Sequence, residues 1–232
     1  EAVVHYRRVI DEHSNTPYVT PARYGLAWHY QRTGSYEQAA RAFAEVRSQG
    51  SGRLARKATY YEAVNRARTG DAERALSLYQ QTAKQYPDSR LAPEALFEAG
   101  LLRYRQEEYG AAAAFFRALT RDHPEAARIG DAYYWLGNAY LVDESLDRAL
   151  TAYNKATEFD TAPPSLLREV RFQKAWAQYE EGRYQSAAPV FLSLAESAPN
   201  TERGSEALFW GADSHYRQGN FARARSLFTQ YL

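Results

Sequence analysis

The sequence predicts an all-α protein of about 13 antiparallel helices, arranged as stacked helical hairpins. Three observations predict this class. An alanine recurs at a nearly constant spacing, apolar residues at helical spacing precede each copy, and a short polar breaker lies between the two. Together they define a repeat of about 37 residues with two helices. Because one such pair cannot bury its apolar face alone, neighbouring pairs must stack to form a continuous core.

The second helix of each repeat carries the clearest pattern. In the stretch EEYGAAAAFFRAL, Tyr109, Ala112 and Phe116 follow one another as aromatic, alanine and aromatic. The alanine and the later aromatic recur at intervals of 36 to 38 residues. These signature residues are Ala39, Phe43, Ala75, Tyr79, Ala112, Phe116, Ala149, Tyr153, Ala187, Phe191, Ala224 and Phe228. We interpret the alanine as a point of close helix approach and the aromatic as the side chain that fills the groove beside it.

The first helix lies upstream of that alanine, and its apolar residues fall at i, i+3, i+4 and i+7. A small residue stands twelve positions before each signature alanine: Ala27, Ala63, Gly100, Gly137, Ala175 and Ala212. Between the helices lie breakers such as Thr33-Gly34-Ser35, in which we expect the glycine to end the helix in a left-handed conformation. Ser35 and Gln38 have the spacing of a capping box for the second helix.

These repeats predict one solenoid domain over residues 1–232. A partial unit, which consists of a second helix and a joint, occupies residues 1–19. Six units follow it, and the last of them is truncated. The six units are 20–55, 56–92, 93–129, 130–167, 168–204 and 205–232. The fourth unit is the longest and ends in the joint Phe159–Pro164. Since methionine is absent, we expect a processed form or an excised segment, with any signal or lipid anchor outside it.

Several of these positions together resemble the tetratricopeptide repeat (TPR). In the fourth unit the matching residues are Tyr133, Leu136, Gly137, Tyr140, Ala149 and Tyr153, with tyrosine in place of the usual tryptophan and phenylalanine. The resemblance extends over nearly the whole chain. It implies a right-handed α-α superhelix whose first helices line the concave side. It also implies a non-catalytic scaffold for protein–protein interaction.

The joints between units carry a finer resemblance. The segment Tyr86–Ser89, which reads YPDS, and the following Ala92 are similar to joints in the long-period repeats of bacterial envelope proteins. Examples are the outer-membrane assembly lipoprotein and the Tol-Pal-associated coordinator of cell division. This implies a periplasmic or outer-membrane-associated protein, with a cytoplasmic one left open. Two alternatives are a periplasmic array of an exopolysaccharide export system that contacts glycan, and a helical support region of a larger cell-wall enzyme.

The first helices also predict a binding groove. One aromatic row is present in every unit, and we interpret it as packing between successive units: Tyr24, Tyr60, Phe97, Tyr134, Phe172 and Phe209. The candidate partner-binding residues lie on neighbouring rows: Tyr104, Tyr179, Tyr216, Trp28, Trp176, Arg32, Arg68, Arg105 and Arg217. Tyrosine and arginine are frequent hot-spot residues, although an arginine row is more often a solvated face. The expected partner is an extended peptide or helix of another protein, or a polysaccharide.

Composition argues against several other classes. The net charge of +1 gives no argument for nucleic acid, and no stretch is apolar enough over about 18 to 20 residues to span a bilayer. The five histidines form no recognisable metal-binding motif, and there is no glycine-rich phosphate loop or nucleophile elbow. We therefore predict no catalytic site, no metal and no cofactor.

Overall fold

The computed structural model describes residues 2–159 and 164–232. Over these residues the chain forms thirteen α-helices and no β-strand, so the predicted all-α class is confirmed. The helices are α1 (Ala2–Glu12), α2 (Val19–Arg32), α3 (Tyr36–Gln49), α4 (Gly52–Arg68), α5 (Ala72–Gln85), α6 (Leu91–Arg105), α7 (Tyr109–Asp122), α8 (Ile129–Val142), α9 (Leu146–Ala156), α10 (Pro164–Glu180), α11 (Tyr184–Ser197), α12 (Glu202–Arg217) and α13 (Phe221–Tyr231).

The helices separate into two compact units, of which one reaches to Glu108 and the other runs from Tyr109 to Leu232. In each unit consecutive helices pack against each other, and first helices of neighbouring repeats also touch, as α2 does with α4 and α8 with α10. First helices begin one to four residues before the predicted repeat boundaries. The alanine period predicts the length of a repeat but not the residue at which its first helix begins. Most of the predicted long joint, residues 160–163, lies outside the described residues.

The turns between paired helices repeat one geometry. Gly34, Gly70, Gly182 and Gly219 have φ between 75° and 84°, which confirms the predicted left-handed glycines. The next residue donates its backbone N–H to the carbonyl five positions earlier, as Ser35 does to Tyr30 at 2.9 Å.

The predicted capping box at Ser35 is wrong, because its side chain makes no capping hydrogen bond. Its ψ of 62° departs from the extended backbone that an N-cap side chain needs.

The signature residues lie in the core of each unit. The signature alanines of α3, α5, α7, α9, α11 and α13 are buried, as are Phe43, Tyr79, Phe116, Tyr153 and Phe191. Close packing at the small residues is visible at Gly137, where an added Cβ would lie 2.4 Å from the ring of Tyr153. Phe228, in the last helix, is half-buried.

The invariant aromatic row packs both within a hairpin and against the next repeat. Tyr24 meets Phe43 with a ring-centroid distance of 5.8 Å, and Phe172 meets Phe191 at 5.4 Å. In both pairs the first ring is on the first helix and the second ring is on the second helix of the same repeat. These contacts close a helix pair. Phe172 also touches the next repeat, because the guanidinium of Arg203 on α12 lies 4.3 Å from its ring centroid, in keeping with the predicted packing between successive units.

Candidate binding surface

In the unit that reaches to Glu108, Trp28 lies at a junction of two first helices. Its half-buried ring meets Tyr61 edge-on at 4.5 Å and Phe43 at 5.9 Å. Arg32 lies one turn further along α2 with an exposed side chain. The guanidinium of Arg68, at the end of α4, lies 4.9 Å from the ring centroid of Tyr36. The predicted residues Trp28, Arg32 and Arg68 thus combine aromatic surface with exposed positive charge.

Arg68 and Arg105 also lie near one buried tyrosine, although they belong to different helices. Burial raises the pKa of Tyr79 well above its ordinary value, and nearby Glu98 and Tyr60 act in the same direction. The two arginines lower that pKa, because positive charge stabilises the phenolate. The predicted arginine row therefore brings two cations from α4 and α6 to the same second helix, α5.

A buried polar pair beside this surface was missed by the sequence reasoning. Asn65 is fully buried, and its Nδ2 donates to Gln31 Oε1 at 2.8 Å and to the Tyr61 carbonyl at 2.7 Å. The first bond links α2 to α4. A single asparagine in a helix gives no sign of such a role, because the partner lies 34 positions away.

In the unit from Tyr109 to Leu232, the aromatic candidates divide between core and surface. Tyr179 is 8% exposed and its ring stacks on Trp176 at 5.6 Å. Its hydroxyl donates to Asp213, and Asp213 also pairs with Arg217 at 3.2 Å. Burial, with Asp213 beside it, raises the pKa of Tyr179 to about 12. Tyr179 and Arg217 are thus held by Asp213, and Tyr179 offers little surface to a partner.

The remaining candidates are more accessible. Tyr216 is 54% exposed and its ring meets Phe221 at 5.4 Å. Tyr104 is half-buried and Arg105 exposed. Trp176 is half-buried and faces a cavity of about 440 Å³. The structure therefore places Trp28 and Arg32 on α2 and Arg68 on the adjoining first helix α4, and it places Trp176 and Tyr216 on α10 and α12.

Within residues 2–159 and 164–232, no group of three or more His, Cys, Asp or Glu side chains is arranged to hold a metal ion. No helix in those ranges is long and apolar enough to cross a membrane.

Known proteins share this repeat pattern and these helix pairs. The chain matches the tetratricopeptide repeat family over residues 24–90, 62–127, 97–164 and 172–232. These stretches cover most of the sequence, so the chain belongs to the tetratricopeptide repeat family. The general transcriptional corepressor ssn6 of Schizosaccharomyces pombe is 28% identical over 141 residues, which make up 59% of this chain. The chain spans 12% of the length of that curated relative.

Solved structures show the same fold. The C-terminal part of a TPR protein from Cytophaga hutchinsonii superposes with a TM-score of 0.76 at 16% identity, covering 99% of this chain and 88% of that one. YrrB, described as a TPR protein with an unusual peptide-binding site, gives a TM-score of 0.61 at 22% identity, over 75% and 83% of the two chains. MamA from Desulfovibrio magneticus gives 0.62 at 22% identity, over 79% and 97%.

Proposed function

We propose that this chain holds a segment of a partner protein against the first helices of its repeats. Proteins of this family generally serve as protein-interaction scaffolds. The observation that carries the proposal for this chain is the placement of Trp28 and the exposed Arg32 on α2 and of the exposed Arg68 on the adjoining first helix α4. On adjoining first helices, the aromatic ring supplies apolar contact area, and the arginine guanidinium groups supply hydrogen-bond donors for a peptide carbonyl or carboxylate.

Selection from a random peptide library on the immobilised chain tests this function. Peptides that are enriched should bind the free chain, and Arg32→Ala with Arg68→Ala together should weaken them by about tenfold or more. Arg53→Ala and Lys84→Ala are matched controls, since Arg53 is an exposed cation of α4 and Lys84 an exposed cation of the second helix α5. Failure to enrich any peptide, or equal losses in the control variants, would contradict the proposal.

We further propose that the interaction serves a complex of the bacterial cell envelope, in the periplasm or at the outer membrane. The support is the resemblance of the joints around Tyr86–Ser89 to those of envelope proteins. Fractionation of producing cells, followed by immunodetection, should place the protein with periplasmic or outer-membrane markers. Recovery with cytoplasmic markers alone would contradict this location. The glycan-contacting and enzyme-support alternatives have no observation of this kind in their favour and stay predictions.

A further inference from the structure

A cavity of about 440 Å³ opens beside the turn between α8 and α9. Its lining combines two chemistries. Leu141, Leu146 and Trp176 contribute half-buried apolar side chains, while Glu144 and Glu180 contribute exposed carboxylates. A neighbouring cavity of about 420 Å³ shares Glu144 and Leu146 and is also lined by Asp147 and Glu181. An apolar floor with an acidic rim is the form of pocket that suits the stem and the charged head of a long cationic side chain.

The charge at this cavity departs from the rest of the repeat. Four first helices carry an arginine at their last turn: Arg32, Arg68, Arg105 and Arg217. At the equivalent positions α8 has Val142 and α10 has Glu180, and neither helix has a basic residue in its last turn. A helix C-terminus favours positive charge, so a glutamate there is opposed by the helix dipole. An external cation would relieve this unfavourable arrangement.

No basic side chain among the described residues pairs with either carboxylate. In the described ranges Glu144 and Glu180 make no ion pair, whereas Glu181 pairs with Arg183 at 3.0 Å. Arg148, the basic side chain that lines the neighbouring cavity, lies 5.8 Å from the ring centroid of Tyr140. Trp176 adds an aromatic surface, and tryptophan is the ring that attracts cations most strongly.

We propose that this pocket binds an arginine or lysine side chain of the partner segment, with the head between Glu144 and Glu180 and the stem along Trp176. The proposal rests on the proposed function and names the chemistry that one unit recognises in its partner. A cation is the occupant because Glu144 and Glu180 are negative, neither has an ion-pair partner among the described residues, and the floor is apolar.

Titration of the whole chain with N-acetyl-arginine amide, followed by the indole N–H resonance of Trp176, tests the pocket directly. N-acetyl-citrulline amide is the neutral probe of the same shape, and Trp176→Phe identifies the resonance. We expect saturable shifts with the arginine probe and about tenfold weaker binding of the citrulline probe, since ion pairing and attraction to the ring both require charge. Glu144→Gln with Glu180→Gln should remove that preference, whereas Glu196→Gln, an exposed carboxylate of α11, should preserve it.

Equal binding of the two probes, no saturable shift, or an undiminished preference in the double variant would overturn the proposal. The result is independent of the peptide selection, because the probes are single amino acids. Enriched peptides with no response to the arginine probe would refute the pocket and leave the scaffold function standing. A response of the pocket with no enriched peptide would refute the scaffold function and support the chemistry of the pocket.

Discussion

Glu107 and Glu144 occupy a backbone conformation that four other repeats give to glycine. Their φ values are 62° and 54°, in the left-handed region. A non-glycine residue in this region costs about 1 to 2 kcal/mol relative to the right-handed one. At Glu144 the side chain belongs to the proposed pocket, so Glu107 is the position at which to test the conformational cost alone.

We therefore expect Glu107→Gly to raise the free energy of unfolding by about 1 kcal/mol, since glycine adopts this φ freely. Urea unfolding followed by circular dichroism measures the change. The reciprocal control is Gly70→Ala, where an added Cβ meets nothing within 4 Å and acts through φ alone. It should lower the free energy by a similar amount. A loss of stability in the glycine variant would show that the left-handed turn is not where the strain lies.

Gly137 tests the close approach between paired helices. An alanine there would place its Cβ 2.4 Å from the ring of Tyr153, whose hydroxyl donates to Asn138 at 2.6 Å within the core. We expect Gly137→Ala to cost about 2 kcal/mol of unfolding free energy, because the buried ring cannot move aside without repacking.

The control is Gly110→Ala on α7, where the new methyl group meets nothing within 4 Å. It should instead stabilise by about 0.5 kcal/mol through helix propensity. If thermal or urea unfolding gave the two alanine variants the same stability, the signature ring would not be packed against this glycine.

At the scale of elements, a buried ion pair joins three consecutive helices. Glu62 of α4 is 1% exposed and lies 2.7 Å from Arg47 Nε of α3 and 3.9 Å from Arg74 Nε of α5. Replacing Glu62 removes its charged hydrogen bond to Arg47, while the arginines it leaves unpaired are partly exposed to solvent. We expect Glu62→Gln to cost about 2 kcal/mol of unfolding free energy.

Glu37→Gln is the control for that prediction, because Glu37 is about half exposed and pairs with Arg41 and Arg66 at the surface. It should cost less than about 1 kcal/mol. Comparable losses in the two variants, measured by urea unfolding, would mean that Glu62 does not hold the three helices together.

Tyr179 links α10 to α12 through Asp213 and predicts alkaline sensitivity. The pKa of Tyr179 is raised to about 12 in the folded chain, against about 10 for an unfolded tyrosine. The folded state therefore retains the proton that the unfolded state loses, and this stabilising contribution is full below pH 10 and is lost as the pH rises toward 12. We expect stability to fall across this range, and Tyr179→Phe to show a shallower fall. Identical pH profiles would contradict this assignment.

The helices also show how much of the structure can be predicted from the sequence. Helix number, pairing and the left-handed glycines follow from local spacing, which the alanine period exposes. The binding surface does not, because exposure depends on what the next helix supplies. Tyr179 and Tyr216 occupy equivalent positions in successive first helices, yet Tyr179 is buried with its ring against Trp210 of the next first helix while Tyr216 is 54% exposed. Glu62 and Asn65 belong to the core only because partners reach them from other helices.

At the scale of the whole molecule, the two units present surfaces of different charge. The unit that reaches to Glu108 carries Arg32, Arg68 and Arg105 at the ends of its first helices. The unit from Tyr109 to Leu232 has Val142 and Glu180 at two of its three equivalent positions, with the acidic cavity beside them. We expect the first unit to favour anionic or carbonyl groups of a partner and the pocket of the second to favour a cation.

Site-specific photocrosslinking tests the proposed function most directly. A photoreactive amino acid placed in a peptide selected from the library leaves Arg32 and Arg68 intact, and mass spectrometry identifies the residues of the chain that it labels. We predict labelled residues on α2 and α4 and none on α5, because the partner lies along the first helices. Labels on α5 with none on α2 or α4 would contradict that placement.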